Sequence, residues 1–208
     1  IIFSSYREKS KDIYKVSAEG GTPVRLTSHS QNETPLEVMK DGSVLYTANI
    51  MLDAQYGDFP GNVQLYMVGP DGGKPIQVTS LPVSNISVNE SANGVKILYE
   101  DYKGYEDALR KHHTSSVTRD IWMYTPSGSD KGFKITGNGT FTKLSTFKGE
   151  DRNPVFKPGT DTYYYISEAD GTLNIYSSSL GSTAEPKQLT FFKGNPVRYI
   201  SVSNDGTI

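Results

Sequence analysis

Arg110-Lys111-His112-His113 is the densest grouping in the chain of side chains able to hold an anion, a metal ion or a proton. Neighbouring residues on an extended strand point to opposite faces, so His112 and His113 do not chelate one ion together. Neither an H-x-x-x-H spacing nor a His-plus-carboxylate spacing accompanies them. The run reads as an exposed loop whose imidazoles pack or hydrogen-bond locally. Ser115 and Ser116 follow His113 closely, which suggests a nucleophile beside a base. Neighbours in sequence do not supply the oriented nucleophile, base and third group that such chemistry needs. A Gly-x-Ser-x-Gly elbow is absent, and so is every cysteine. The expectation is therefore no catalytic residue, no metal site and no cofactor.

A second polar grouping is Glu150-Asp151-Arg152-Asn153-Pro154. Its Arg152 can grip a carboxylate through two parallel N–H bonds. The same residues can instead form a salt bridge that fixes the register between neighbouring sheets. Both readings stand at this level. With Arg110, His112, His113, Arg119 and His29, the residues Glu150, Asp151 and Arg152 make up the candidate binding face.

These side chains must be positioned by strands, because three marks recur four times in constant order. An apolar strand comes first, at 1–5, 44–48, 97–100 and 163–167. A strand built on an aromatic follows: Asp12-Ile13-Tyr14, Gln64-Leu65-Tyr66, Asp120-Ile121-Trp122-Met123-Tyr124 and Asn174-Ile175-Tyr176. The third is a strand carrying Leu26-Thr27, Val78-Thr79, Leu144-Ser145 or Leu189-Thr190. Hairpin signals such as Glu19-Gly20-Gly21 and Asp71-Gly72-Gly73 separate the second and third marks. A further strand and a tight turn, as at Asp41-Gly42, close each unit. Tyr14, Tyr66, Tyr124 and Tyr176 serve as anchors spaced by 52, 58 and 52 residues.

Four strands per unit, repeated four times, predict an all-β fold: a β-propeller of about four blade repeats of four antiparallel strands. The repeats run over 1–42, 43–94, 95–161 and 162–208 of one propeller segment. Either the segment 197–203 pairs with the first unit and closes a four-bladed ring, or the chain is an arc of a larger propeller. A two-sheet sandwich is the competing architecture. Helix is expected nowhere, except that 105–113 has room for two turns.

Calling the strands of a blade a to d, the long b–c connections are 49–62 and 102–119. They emerge on the same side as the d–a links 28–33, with His29, and 148–153. Insertions on one face of a repeat fold are where function concentrates.

Composition removes other classes. Residues are 35% hydrophobic and 21% charged with net charge −2, which lacks the basic face a nucleic-acid binder needs. The longest uncharged stretches, such as 43–52, fall far short of the roughly 20 apolar residues of a membrane-spanning segment. Fourteen Tyr and eight Phe beside twenty Gly and eleven Pro suit pleated strands joined by turns. The four Asn-x-Ser/Thr triplets, at Asn32, Asn85, Asn89 and Asn138, are chance matches in a chain of this composition.

Ile1-Ile2-Phe3-Ser4-Ser5-Tyr6-Arg7, Asp12-Ile13-Tyr14, Glu19-Gly20-Gly21-Thr22-Pro23 and Arg25-Leu26-Thr27 resemble the WD40-like repeat of TolB-type propellers. The run from Arg110 to Trp122, followed by Gly149-Glu150-Asp151-Arg152-Asn153-Pro154, resembles the N-terminal propeller of bacterial tricorn-protease-like peptidases of the S41 group. That resemblance implies a non-catalytic propeller that admits or steers peptide for a serine peptidase whose catalytic residues lie in other domains. It implies a peptide or protein ligand, the remaining domains of a larger polypeptide as partners, and a periplasmic or secreted setting. A TolB-like scaffold that docks a protein is the alternative. A glycan-binding propeller, prompted by Tyr56, Phe59, Tyr102 and Tyr105, is the weaker one.

Overall fold

The structure, a computed structural model, describes residues 1–50, 63–91, 94–104, 115–127 and 138–208. It is all-β, with four antiparallel sheets of three or four strands in two compact units. Among the described residues there is no helix; the segment 105–113 lies outside them.

The first unit is built on Ile1–Val83. Its first sheet has the order β1 (Ile2–Glu8), β2 (Ser10–Lys15) and β3 (Val24–Arg25). Its second joins β4 (Glu33–Val38), β5 (Val44–Ala48), β6 (Gln64–Gly69) and β7 (Gly72–Gln77). Alternation along the strands makes the core: Ile13 and Leu26 of the first sheet meet Val44, Tyr46, Ala48, Tyr66 and Val68 of the second. Leu45, Leu65 and Met67 are buried on the opposite face. Tyr46 and Tyr66 sit directly across from each other and stack at 5.8 Å. At the β6–β7 turn, Gly72 has φ +84°, and a Cβ there would stand 3.0 Å from the Leu26 carbonyl oxygen. Conformation and space both demand glycine at that turn.

The second unit has the same design. One sheet runs β8 (Val83–Ser91), β9 (Gly94–Asp101), β10 (Ile121–Pro126) and β11 (Gly139–Lys143). The other runs β12 (Asp151–Phe156), β13 (Thr162–Ser167), β14 (Asn174–Ser179) and β15 (Lys187–Gln188). Leu98 and Ile121 of one pack on Phe156, Tyr163, Tyr165 and Tyr176 of the other.

One clamp appears in all four sheets and explains the third sequence mark. The amide N–H of Ile13, Leu65, Ile121 and Ile175 donates to the hydroxyl of Thr27, Thr79, Ser145 and Thr190, at 2.9, 3.2, 2.7 and 2.8 Å. The carbonyls of those four residues accept from the amides of Leu26, Val78, Leu144 and Leu189, each at 2.8 Å. The Leu-Thr pair therefore follows the outer strand, which ends one residue earlier, rather than lying within it. Leu26 and Val78 are buried there, and in every sheet the hydroxyl satisfies a strand amide, a bond worth about 1 kcal/mol net.

Strand register corrects the choice of anchors. Tyr14, Tyr66 and Tyr176 stand opposite Arg25, Gln77 and Gln188, and in the third sheet the residue opposite Lys143 is Trp122. Trp122, not Tyr124, is the counterpart of the three tyrosines, so the spacings become 52, 56 and 54. Residues i and i+2 share a face of a strand, which is why the pattern alone did not separate them.

Repeat and sheet are out of phase by one strand. Each sequence repeat starts on strand b, whereas a four-stranded sheet groups strand a with the b, c and d that follow it. The segment 197–203, read above as a possible ring-closing strand, carries no strand, and the first sheet has three.

Candidate functional site

Four strand ends of the second unit bring opposite charges together where its two sheets meet. Glu100 lies near the end of β9, Arg119 just before β10, Glu150 just before β12, and Glu168 just after β13. The Glu100 carboxylate is 0% exposed, accepting from Arg119 Nη1 at 2.9 Å and from the Asn153 amide at 2.7 Å. The Arg119 amide donates to Glu150 Oε2 at 3.1 Å, and its Nε lies 3.8 Å from Glu150 Oε1. The Glu150 amide donates to Glu168 Oε1 at 3.0 Å, and the Asp151 amide to the Arg119 carbonyl at 3.0 Å. Arg119 thus staples one sheet to the other, while its guanidinium lies over the Tyr102 ring at 5.7 Å.

A second network pins both ends of the long 102–119 connection. Lys103 donates to the Thr118 carbonyl at 2.7 Å and pairs with Asp101 at 3.2 Å. Asp120, whose amide donates to Asp101 Oδ1, also pairs with Lys103 and Lys143. Trp122 Nε1 donates to the other Asp101 oxygen at 3.0 Å. Ser115 closes a turn, its hydroxyl accepting from the Val117 amide at 3.2 Å and its carbonyl from the Thr118 hydroxyl at 2.9 Å. That bonding is structural.

Asp151 is buried, and its Oδ1 has no partner among the described residues. Burial pushes its carboxyl up to about 6, with Asp120 and Glu150 adding repulsion and the Ser167 and Ser145 hydroxyls pulling the other way. Glu33, the first residue of β4, holds the same register position in the first unit: Glu33 faces Ala48 as Asp151 faces Ser167. It accepts from the Thr27 hydroxyl and is pushed up to about 7, again chiefly by burial.

Arg152 differs from its neighbours. β12 carries a bulge between Arg152 and Val155, and Asn153 within it has φ +50°. Such bulges re-aim side chains. Arg152 forms no ion pair among the described residues, and its Nε is buried without a partner. The two sequence readings of 150–154 therefore divide between residues. Glu150 takes part in the bridge between sheets, and Arg152 is left open.

His29 lies in the first unit, where its Nδ1 accepts from the Gln31 amide at 3.2 Å. Arg110, His112 and His113, with Tyr56, Phe59 and Tyr105, fall outside the described residues. Glu100, which organises the site, escaped sequence reading. Its signal was an acid where the equivalent positions of the other repeats, Ser4, Thr47 and Ile166, carry none. Among the described residues no group of three or more His, Asp or Glu is arranged to hold a metal ion. No described helix is long and apolar enough to cross a membrane.

Repeated four-stranded meanders, clamped alike and meeting face to face, define propeller blades. Across residues 1–208 the chain matches the tricorn protease N-terminal beta propeller domain, and it belongs to that family. No curated protein matches it. Among solved structures it is similar to the tricorn protease at 20% identity and TM-score 0.62, covering 89% of this chain and 16% of that one. It is also similar to TolB from Acinetobacter baumannii at 14% identity and TM-score 0.62, covering 99% of this chain and 44% of that one. The chain thus spans less than half the length of either, and at these identities the likeness is one of fold.

Proposed function

We propose that this propeller segment binds peptide at the strand ends around Glu100, Arg119 and Arg152, and gates its passage to a serine peptidase carried by other domains. The observation that carries the reading is the Glu100–Arg119–Glu150 staple. It holds Arg119 over Tyr102 at the mouth of the 102–119 connection, in a chain whose family is a protease propeller. A rigid scaffold presenting a long loop beside a polar rim is a common arrangement for peptide capture. The reading includes a periplasmic or secreted setting, which rests on the resemblance.

Titration calorimetry with a neutral, acetylated and amidated 15-residue peptide tests it. Binding should occur and should weaken about tenfold when Arg110, His112 and His113 are all replaced by alanine, as expected for contacts on the binding face. No heat of binding for the unaltered chain would overturn the proposal, and binding of a folded protein alone would move it to the TolB-like docking scaffold.

A further inference from the structure

β11 (Gly139–Lys143) is the outermost strand of its sheet, paired with β10 on one side and, among the described residues, with no strand on the other. Its register shows which backbone groups face outward. The Leu144 amide donates to the Ile121 carbonyl at 2.8 Å, so those two residues form a hydrogen-bonded pair. Such pairs alternate along an antiparallel ladder, which makes Trp122↔Lys143, Tyr124↔Phe141 and Pro126↔Gly139 the non-bonded ones. In that phase Pro126, with no N–H, costs the β10–β11 ladder nothing. The N–H and C=O groups of Gly139, Phe141 and Lys143 therefore point away from β10, and among the described residues they have no partner.

Open edges are usually blunted, because they template pairing with another chain. The other three outer strands show how. β3 and β15 are each two residues long. β7 carries Pro75, which offers no N–H, and its pairing slips between Met67 and Gly69. β11 has none of these devices. It is five residues long, its register is unbroken, and Thr140, Phe141 and Thr142 are β-prone and exposed. Its single charge, Lys143, is held by Asp120 at 2.8 Å.

Laid antiparallel on a second copy about a two-fold axis at Phe141, the sequence Gly-Thr-Phe-Thr-Lys is complementary to itself. The outward-facing residues then meet one another, Gly139 with Lys143 and Phe141 with Phe141, and each such pair exchanges two backbone hydrogen bonds. Thr140 meets Thr142, so both kinds of side-chain pair are favourable across strands. Lys143 stands opposite glycine, and no like charges are brought together. A two-fold interface requires one patch to serve both copies, and this strand does so in hydrogen bonding, side chains and charge.

We propose that the β11 edge is a self-association surface, where a second copy of this chain adds its own β11 in antiparallel register and joins the two sheets into one. The surface lies within the second unit and is independent of the peptide-binding reading. Five residues a side cover much less than the roughly 1,200 Å² of a stable interface, so the dimer is weak and concentration-dependent.

Sedimentation equilibrium should show the average mass rising from monomer toward dimer over about 0.01–1 mM chain. Thr140→Lys combined with Thr142→Lys sets like charges opposite each other at both threonine pairs and should weaken association at least about tenfold. Thr140→Glu combined with Thr142→Lys sets opposite charges in the same places and should restore it. Both threonines are exposed, so circular dichroism should show each variant folded. In the unaltered chain, amide exchange read by NMR should slow with concentration at Phe141 and Lys143. Thr140 and Thr142, whose amides face β10, should not respond. A chain that stays monomeric, association indifferent to the paired lysines, or a loss that the Glu–Lys variant does not repair overturns the proposal. Slowing at Phe141 and Lys143 only when the neutral 15-residue peptide is added would also overturn it, giving the edge to a peptide strand instead.

Discussion

Glu100→Ala is expected to lower the unfolding free energy by about 3–5 kcal/mol, the usual cost of removing one partner from a buried ion pair. The carboxylate is 0% exposed and serves two donors from different sheets, Arg119 Nη1 and the Asn153 amide. Alanine would leave the Arg119 charge, with only 28% of its side chain exposed, and a backbone N–H in the bulge unanswered. Against a typical total of about 5–15 kcal/mol, that loss is a large fraction. Urea titration measures it directly, and Glu100→Gln, which keeps acceptors but not charge, should fall between the two. A loss under about 1 kcal/mol for alanine would mean that the staple does not hold the two sheets together.

Asp151→Asn is expected to act in the opposite direction. Folding raises this carboxyl from 3.8 to about 6, so the folded state binds the proton more tightly than the unfolded chain does. Well below pH 4 both states are protonated and the group is neutral to stability. As pH rises from 4 through 6, the buried carboxyl must ionise, and stability falls. Above that window the penalty is full, about 2–3 kcal/mol for a shift of this size. The asparagine variant carries no charge to bury, so it should exceed the wild type in stability at pH 8 and lose that advantage by pH 4. Glu33 titrates in the first unit of both proteins and cancels in the comparison. An advantage that stays constant from pH 4 to 8 would show that packing, not ionisation, separates the two.

The blade was legible because its signals are local. The alternation of Val44, Tyr46 and Ala48, the Asp71-Gly72 turn and the Leu-Thr pairs each lie within a few residues, and together they require an antiparallel meander. Where the meaning of a residue depends on its cross-strand partner, the reading slipped. Trp122 and Tyr124 share a face, and only the pairing of Trp122 with Lys143 decides which of them anchors the blade. The threonines of the pairs were placed inside strands, because the amides they satisfy lie 14 residues back in the first two sheets. The site was legible in part. Glu150 and Arg152 stood out as charges at a blade junction and Arg119 as the end of the long 102–119 connection, but Glu100 did not. Its two partners lie 19 and 53 residues away, and nothing local marks an acid at the end of an apolar strand as the centre of a network.

Hydrogen–deuterium exchange of the chain with and without saturating neutral 15-residue peptide tests the binding face most directly. The expected result is slowed exchange at 100–103, 119–120 and 150–153, with the outer strand 72–77 unchanged. Protection confined to 72–77 or to other strands away from the staple would contradict the assignment.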